Sequence, residues 1–363
     1  MASTIKSYHK EMGSDTITYL KKPTLLEYHC SYSPHGLQFG ANWLWGQCLD
    51  EDGNNYYWCR ETLKDYAGFL LYFKSEPGNT GADVQVFQDI LFKGYILHIL
   101  DEENGKSIIR PQYEDGNWFN IEMTIDKITM VDANGKVNFT YHPLSAPDQE
   151  PAPGHEWYCP GQYGTMDDTM YRSKHYTVTG EIDGKKIVKG WGGLDTEWGP
   201  VGCPTRQFKR FDSIEKLWFC WYTEYDDGTV EDGVFVRGYD KHAAAYYYRN
   251  GKAYVPKDLH AEVTTDETGL LKTAVLYVDD MVFDYSTKRL VAQDVCAVDD
   301  GQSKDSGSED MAWTSGLIVN RAMKAKAIAG WANPEFKANN VMEDPIEDMR
   351  KPITFESATK HLK

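Results

Sequence analysis

Tight-turn chemistry recurs along this chain at short intervals, and it constrains the fold more than any other feature. Asp50-Glu51-Asp52-Gly53-Asn54 separates the run 43–49 from 56–60. The segment 101–105 divides 95–100 from 107–110, and 132–135 divides 128–131 from 137–141. In the second half Asp183-Gly184 lies between 175–182 and 185–189, and Asp226-Asp227-Gly228 between 217–225 and 230–237. Asn250-Gly251 then lies between 244–249 and 252–255. Each turn joins Gly to Asn or Asp, the residues that tolerate the positive φ of a tight reversal. Turns spaced about 10–14 residues apart, with no helical period between them, describe meandering antiparallel sheets or barrels.

The chain is 363 residues long, which suits two domains better than one sandwich. The stretch 144–160, LSAPDQEPAPGHEWYCP, holds four prolines, each lacking the amide donor that a central strand needs. It marks the expected boundary between a first β domain, 1–145, and a second, 160–300. Residues 301–310 read as a polar loop. The segment 315–332, SGLIVNRAMKAKAIAGWA, is rich in Ala, Met and Lys, and Leu317, Ile318, Ala322, Ala325 and Ala329 fit a loose helical stripe. A C-terminal helix and a polar tail are therefore expected within 301–363.

Charge and motifs exclude several function classes. The net charge of −17, from 55 acidic and 38 basic side chains, repels phosphate backbones and disfavours nucleic acid as a partner. No apolar run is long enough for a membrane span, and Met1–Lys6 lacks the apolar core of a secretory signal, so a cytoplasmic location is expected. The seven cysteines are scattered without a CxxC pair, and the ten histidines show no metal-ligand spacing, so no metal is expected. Neither a dinucleotide nor a P-loop fingerprint occurs, nor a G-x-S-x-G elbow, so no cofactor is expected.

The most informative stretch is 175–199, HYTVTGEIDGKKIVKGWGGLDTEWG. A hairpin leads into glycines that flank Trp191, then into Asp195-Thr196-Glu197-Trp198-Gly199. On an extended strand Asp195 and Glu197 share a face. Beside Trp191 or Trp198, such a pair suits a proton donor whose carboxyl is held neutral by burial and like charge. The same carboxylates also suit a strand end salt-bridged to Arg206 or Lys209. Farther on, Tyr222 and Glu224 share a face of the 217–225 run with Trp218 and Cys220. That face either lines a cavity or points outward.

The run W-G-G-L-D-T-E-W-G, followed by Leu217-Trp218-Phe219-Cys220-Trp221 and a D-G turn, resembles the AttH/CrtC-like family. These are double-lipocalin proteins that include carotenoid 1,2-hydratase and kievitone hydratase, with lipocalin-like Diels–Alderases built similarly. Asp195, Trp198 and Gly199 match the family's Asp, Trp and Gly, while Trp218, Trp221, Asp227 and Gly228 match its later block. In the first half, Asn42-Trp43-Leu44-Trp45-Gly46 resembles its opening Trp-rich hairpin. Many members carry His after the Asp, where this chain has Thr196.

The resemblance implies an all-β fold of two lipocalin-like antiparallel β-barrel domains, to which the sequence adds the C-terminal helix. It implies a cofactor-independent hydratase, dehydratase or double-bond isomerase acting on a small apolar molecule: an isoprenoid, steroid-like or polyphenolic one. Asp195, Glu197 and Tyr222 would do the chemistry, and Trp43, Trp191, Trp198, Trp218 and Glu224 would bind the substrate in a barrel or between the domains. A pericyclase-type cyclase and a non-catalytic binding protein are the other classes that fit. The expected partner is the small apolar substrate, with no nucleic acid and no membrane, and a homodimer stays open.

Overall fold

The computed structural model describes residues 2–6, 24–33, 38–63, 67–75, 85–90, 96–112, 119–132, 136–144, 158–160, 170–199, 216–237, 243–250, 252–254, 256, 259–265, 271–293 and 312–337. Among these residues the regular structure is strand, apart from one 3-10 turn at Leu25–Tyr28. Among the described residues, the turns at 51–54, 102–105, 183–184 and 226–228 lie where the turn chemistry placed them, while 133–135 and 251 lie outside those residues. Asp183 and Gly184 join Met170–Ile182 to Lys185–Gly199 with φ of 52° and 74°, the left-handed geometry of a two-residue hairpin.

Every strand pair is antiparallel, and the strands form two curled sheets. The first holds 12 strands, with Gln38–Asp50 next to Lys185–Gly199, and Lys185–Gly199 next to Met170–Ile182. The second holds 10, with Lys216–Tyr225 between Val230–Arg237 and Ala327–Lys337. Sheet membership does not follow the proline-rich stretch at 144–160. Met170–Ile182 and Lys185–Gly199 complete the sheet of the first half, and Ala2–Lys6 pairs with Leu259–Thr265 in the second sheet.

The expected C-terminal helix does not form. Ala312–Asn320 and Ala327–Lys337 are strands, and the second pairs with Lys216–Tyr225. The Ala, Met and Lys that suggested a helix are concentrated around the turn 321–326. Leu317, Ile318 and Val319 alternate as a pleated strand does, with Ile318 buried between two less buried neighbours. Gly316 and Gly330 would each weaken a helix by about 1 kcal/mol relative to Ala. Sheet pairing outweighs the weak intrinsic helix preference of the remaining residues. The polar loop 301–310 and the tail lie outside the described residues.

Each sheet curls around its own aromatic core. In the first, Leu44, Trp58, Phe139, Tyr141, Tyr176 and Leu194 pack together, and Trp58 Nε1 donates to Tyr141 at 2.6 Å. In the second, Phe219, Trp221, Phe235, Phe283, Tyr285 and Ile318 pack together. Buried ions in these interiors are paired: Arg60 with Asp132 at 2.7 Å, and Glu231 with Arg249 at 2.8 Å and the Tyr225 hydroxyl at 2.7 Å. Strands 185–199 and 216–225 carry buried residues on both faces, because one face belongs to a sheet's own core and the other meets the opposite sheet.

The turn after Gln38–Asp50 is held by one carboxylate. Asp50 accepts from the Asn54 backbone at 2.8 Å, the Asp52 backbone at 2.9 Å and the Asn54 side chain at 2.7 Å. Burial alone would raise this carboxyl, but those bonds and one from Tyr56 hold it below the usual carboxylate range. Its contribution to stability is thus complete above the unfolded carboxyl's range, near pH 4, and is lost as pH falls through the lowered folded value. Asp50→Ala should cost about 2–3 kcal/mol in urea unfolding at pH 7, from the lost charge-assisted bonds. The gap to the wild type should narrow steadily below about pH 4.

Candidate active site

The face of Lys185–Gly199 that turns away from the first sheet's core carries Trp191, Gly193 and Asp195. Register places Gln47, Trp45 and Trp43 opposite these three on Gln38–Asp50, and Thr177, His175 and Ser173 opposite them on Met170–Ile182. Alternation thus collects three indoles, a carboxylate, a hydroxyl and an imidazole on one surface. Gly193 makes that possible. A Cβ there would come within 2.5 Å of the Trp45 ring, so the missing side chain is the space the indole occupies.

The second sheet covers this surface with Tyr222, Glu224 and Asp232. Tyr222 stands directly opposite Asp232 in the pairing of Lys216–Tyr225 with Val230–Arg237. Contacts among the described residues join the sheets. His175 Nδ1 lies 2.8 Å from Asp232 Oδ2, with both side chains fully buried. The Trp191 and Tyr222 rings stack at 6.2 Å and 25°. At the rim Lys189 Nζ meets Glu224 Oε2 at 2.5 Å.

Hydrogen bonds link the centre into a chain. Ser173 Oγ donates to Asp195 Oδ1 at 2.7 Å and lies 3.2 Å from His175 Nε2. The order is therefore Asp232, His175, Ser173, Asp195. Three of the four are 0 % exposed, while Asp195, at 5 %, is the one that solvent reaches. Trp45 and Trp191 meet the His175 ring edge-to-face at 5.7 and 5.3 Å. Tyr222 donates to Glu224 Oε1 at 2.6 Å. Burial first, then that carboxylate, push its hydroxyl far above the usual phenol range, so Tyr222 serves as a neutral donor. The Nε1 donors of Trp43 and Trp191 are buried without an acceptor among the described residues.

Of the residues singled out in the sequence, Asp195, Trp43, Trp191, Tyr222 and Glu224 come together here. Trp198 does not. It lies on the opposite face, donating to Tyr32 O at 3.1 Å beneath the Arg172 guanidinium and packed on Phe39. Thr196 shares that face and donates to Asn42 at 2.7 Å, so the residue after Asp195 points away from it. The side chains of Glu197 and Trp218 lie outside the described residues.

Ser173, His175 and Asp232 were not singled out. The available signals were a Ser-x-His alternation entering the hairpin and an acidic residue inside the apolar strand 230–237. Neither reveals that the two meet. Filling the Gly193 space should disturb the whole group. Gly193→Val should lower stability by about 1–3 kcal/mol through overpacking against Trp45, with an altered tryptophan emission spectrum.

By sequence, no family model and no curated protein matches the chain. Solved structures match it along nearly its whole length. CghA is 10% identical over 93% of this chain and 98% of its own, with a TM-score of 0.54. CghA with Sch210972 bound is likewise 10% identical, over 94% and 100%, at 0.52. Kievitone hydratase from Nectria haematococca is 12% identical over 91% and 95%, at 0.44. The fold assignment rests on CghA, and it agrees with the lipocalin-like architecture that the sequence resemblance implied.

Proposed function

From the fold shared with CghA, we propose that this protein is a cofactor-independent acid–base enzyme whose site lies between its two sheets. The reaction class is hydration, dehydration or double-bond isomerisation of a small, largely apolar molecule of isoprenoid, steroid-like or polyphenolic type. One observation carries the reading: a nearly buried carboxylate, Asp195, held by Ser173 and walled by indoles on the surface between the sheets.

Asp195 donates a proton to a substrate double bond, or removes one beside a departing hydroxyl. General acid–base catalysis of this kind contributes about 10²–10⁴-fold. The faces of Trp43 and Trp191 stabilise the positive charge that develops on carbon, by cation–π attraction. Their indole N–H groups are donors suited to an oxygen on the substrate, while the Tyr222 hydroxyl, donating to Glu224, fixes the wall beside them. Glu197 as a second carboxylate, and Trp218 and Glu224 as binding residues, belong to the same proposal.

The test is turnover of alkenes from these three classes in H₂¹⁸O, followed by mass spectrometry. Hydration should place one ¹⁸O in the product, and Asp195→Asn should cut the rate by about 10²-fold or more while the protein stays folded. Unchanged turnover would remove Asp195 from the mechanism and favour a cyclase of pericyclase type, in which shape outweighs proton transfer. Recovery of an unconverted bound molecule would favour a binding protein.

A further inference from the structure

Asp195 is one end of a hydrogen-bonded chain whose other end lies in the opposite sheet. We propose that Asp232, His175 and Ser173 form a relay that stores the working proton and passes it to Asp195, so that the second sheet completes the acid held by the first. This rests on the reading of Asp195 as the group that exchanges a proton with substrate.

The polarity of the chain follows from its donors. Ser173 has one hydroxyl proton, and it is directed to Asp195 Oδ1. Its oxygen is then left to accept from His175 Nε2–H, while His175 Nδ1–H donates to Asp232 Oδ2. An imidazolium between two carboxylates fills every one of these roles. Moving the His175 Nε2 proton to Ser173 Oγ, as the Ser173 proton moves to Asp195, leaves a neutral imidazole and a protonated Asp195. Nothing else changes, and the imidazole still donates Nδ1–H to Asp232. When Asp195 then protonates an alkene, the C=C π pair forms the new C–H bond. Water adds to the resulting cation and releases its proton to the Asp195 carboxylate, from which the chain is recharged.

The groups around His175 favour this arrangement. Asp232 comes from strand 230–237 and Asp195 from strand 185–199. Strand 216–225 contributes Tyr222, kept neutral, and Glu224, already joined to Lys189. Strand 38–50 contributes the uncharged Trp45 ring. A pair serving architecture alone would need Nδ1 and Asp232, with no use for a second bridge from Nε2 to a solvent-reached carboxylate. A serine nucleophile of triad type fits less well. Ser173 is fully buried, and a carboxylate 2.7 Å from its oxygen opposes the negative charge that acyl transfer would build there.

The relay can be read without a substrate, by ¹⁵N NMR of the ring nitrogens in histidine-labelled full-length protein across pH. Asp195→Asn should move the ¹⁵N resonance of the His175 ring nitrogen that faces Ser173, because the carboxylate at the end of that hydrogen-bonded chain is gone. In a Ser173→Ala background the same substitution should leave it nearly unmoved. Ser173→Thr, which keeps the hydroxyl, should restore the coupling, and amide dispersion checks that each variant is folded. A His175 indifferent to Asp195→Asn would overturn the proposal. So would an equal response without the Ser173 hydroxyl, or labelling of Ser173 by a fluorophosphonate. Loss of turnover in Asp195→Asn with an indifferent His175 would sink the relay alone. Intact coupling with unchanged turnover would sink the functional reading instead.

Discussion

The hydrogen bond between His175 and Asp232, 2.8 Å long and closed to solvent, is the contact on which the arrangement between the sheets depends. Removing these polar groups from water is costly, and pairing with good geometry is what offsets that cost. The offset exists only when the two sheets are docked, since each supplies one partner. A buried pair of this kind adds little net stability over an apolar contact of the same shape, yet breaking it by removing one partner is costly. It therefore acts on specificity. Few relative positions of the sheets satisfy both partners, and the observed one also stacks Trp191 on Tyr222 and brings Lys189 to Glu224.

The chemistry of the site follows from that docking. A carboxylate on a strand facing water is an ordinary surface acid. The same carboxylate beneath a second sheet, with indoles beside it and a hydroxyl donating to it, sits in a medium of lower polarity where proton transfer and cation stabilisation are both stronger. Gly193 is the local condition for this, since its absent side chain lets Trp45 lie against His175 and Trp191. Trp198, three residues beyond Asp195, has no part in it. It faces Tyr32 and Phe39, where Arg172 covers it.

The legible parts of the sequence were those governed by short-range chemistry. Asp183-Gly184 announces a hairpin because positive φ is a local property of the backbone, and it formed one. The pairing of Asp195 with Trp191 was legible from period-two alternation alone. Trp198 was misplaced for the same reason that Asp195 was found. Proximity in sequence suggested one cluster, while alternation sent the indole to the other face. The segment 315–332 was read as helix on composition, although its alternating Leu317–Val319 run and its two glycines already suited a strand. Intrinsic preference is a small energy, and two neighbouring strands in register outweighed it.

By itself, the sequence determined an antiparallel all-β chain, the hairpin positions, and a strand carrying Asp195 and Trp191 on one face. These depend on φ preferences and on alternation, which act within a few residues. Only the tertiary structure decided that strands 170–182 and 185–199 join the sheet of the first half, and that Asp232, 57 positions beyond His175, closes on it. Beside Asp195 and Glu197, the carboxylates paired by alternation, stands a link that alternation does not reveal. Asp195 is linked through Ser173 and His175 to a carboxylate of the opposite sheet. The reason is physical: a buried pair across two sheets forms only where docking brings its partners together, which no stretch of either strand can impose alone.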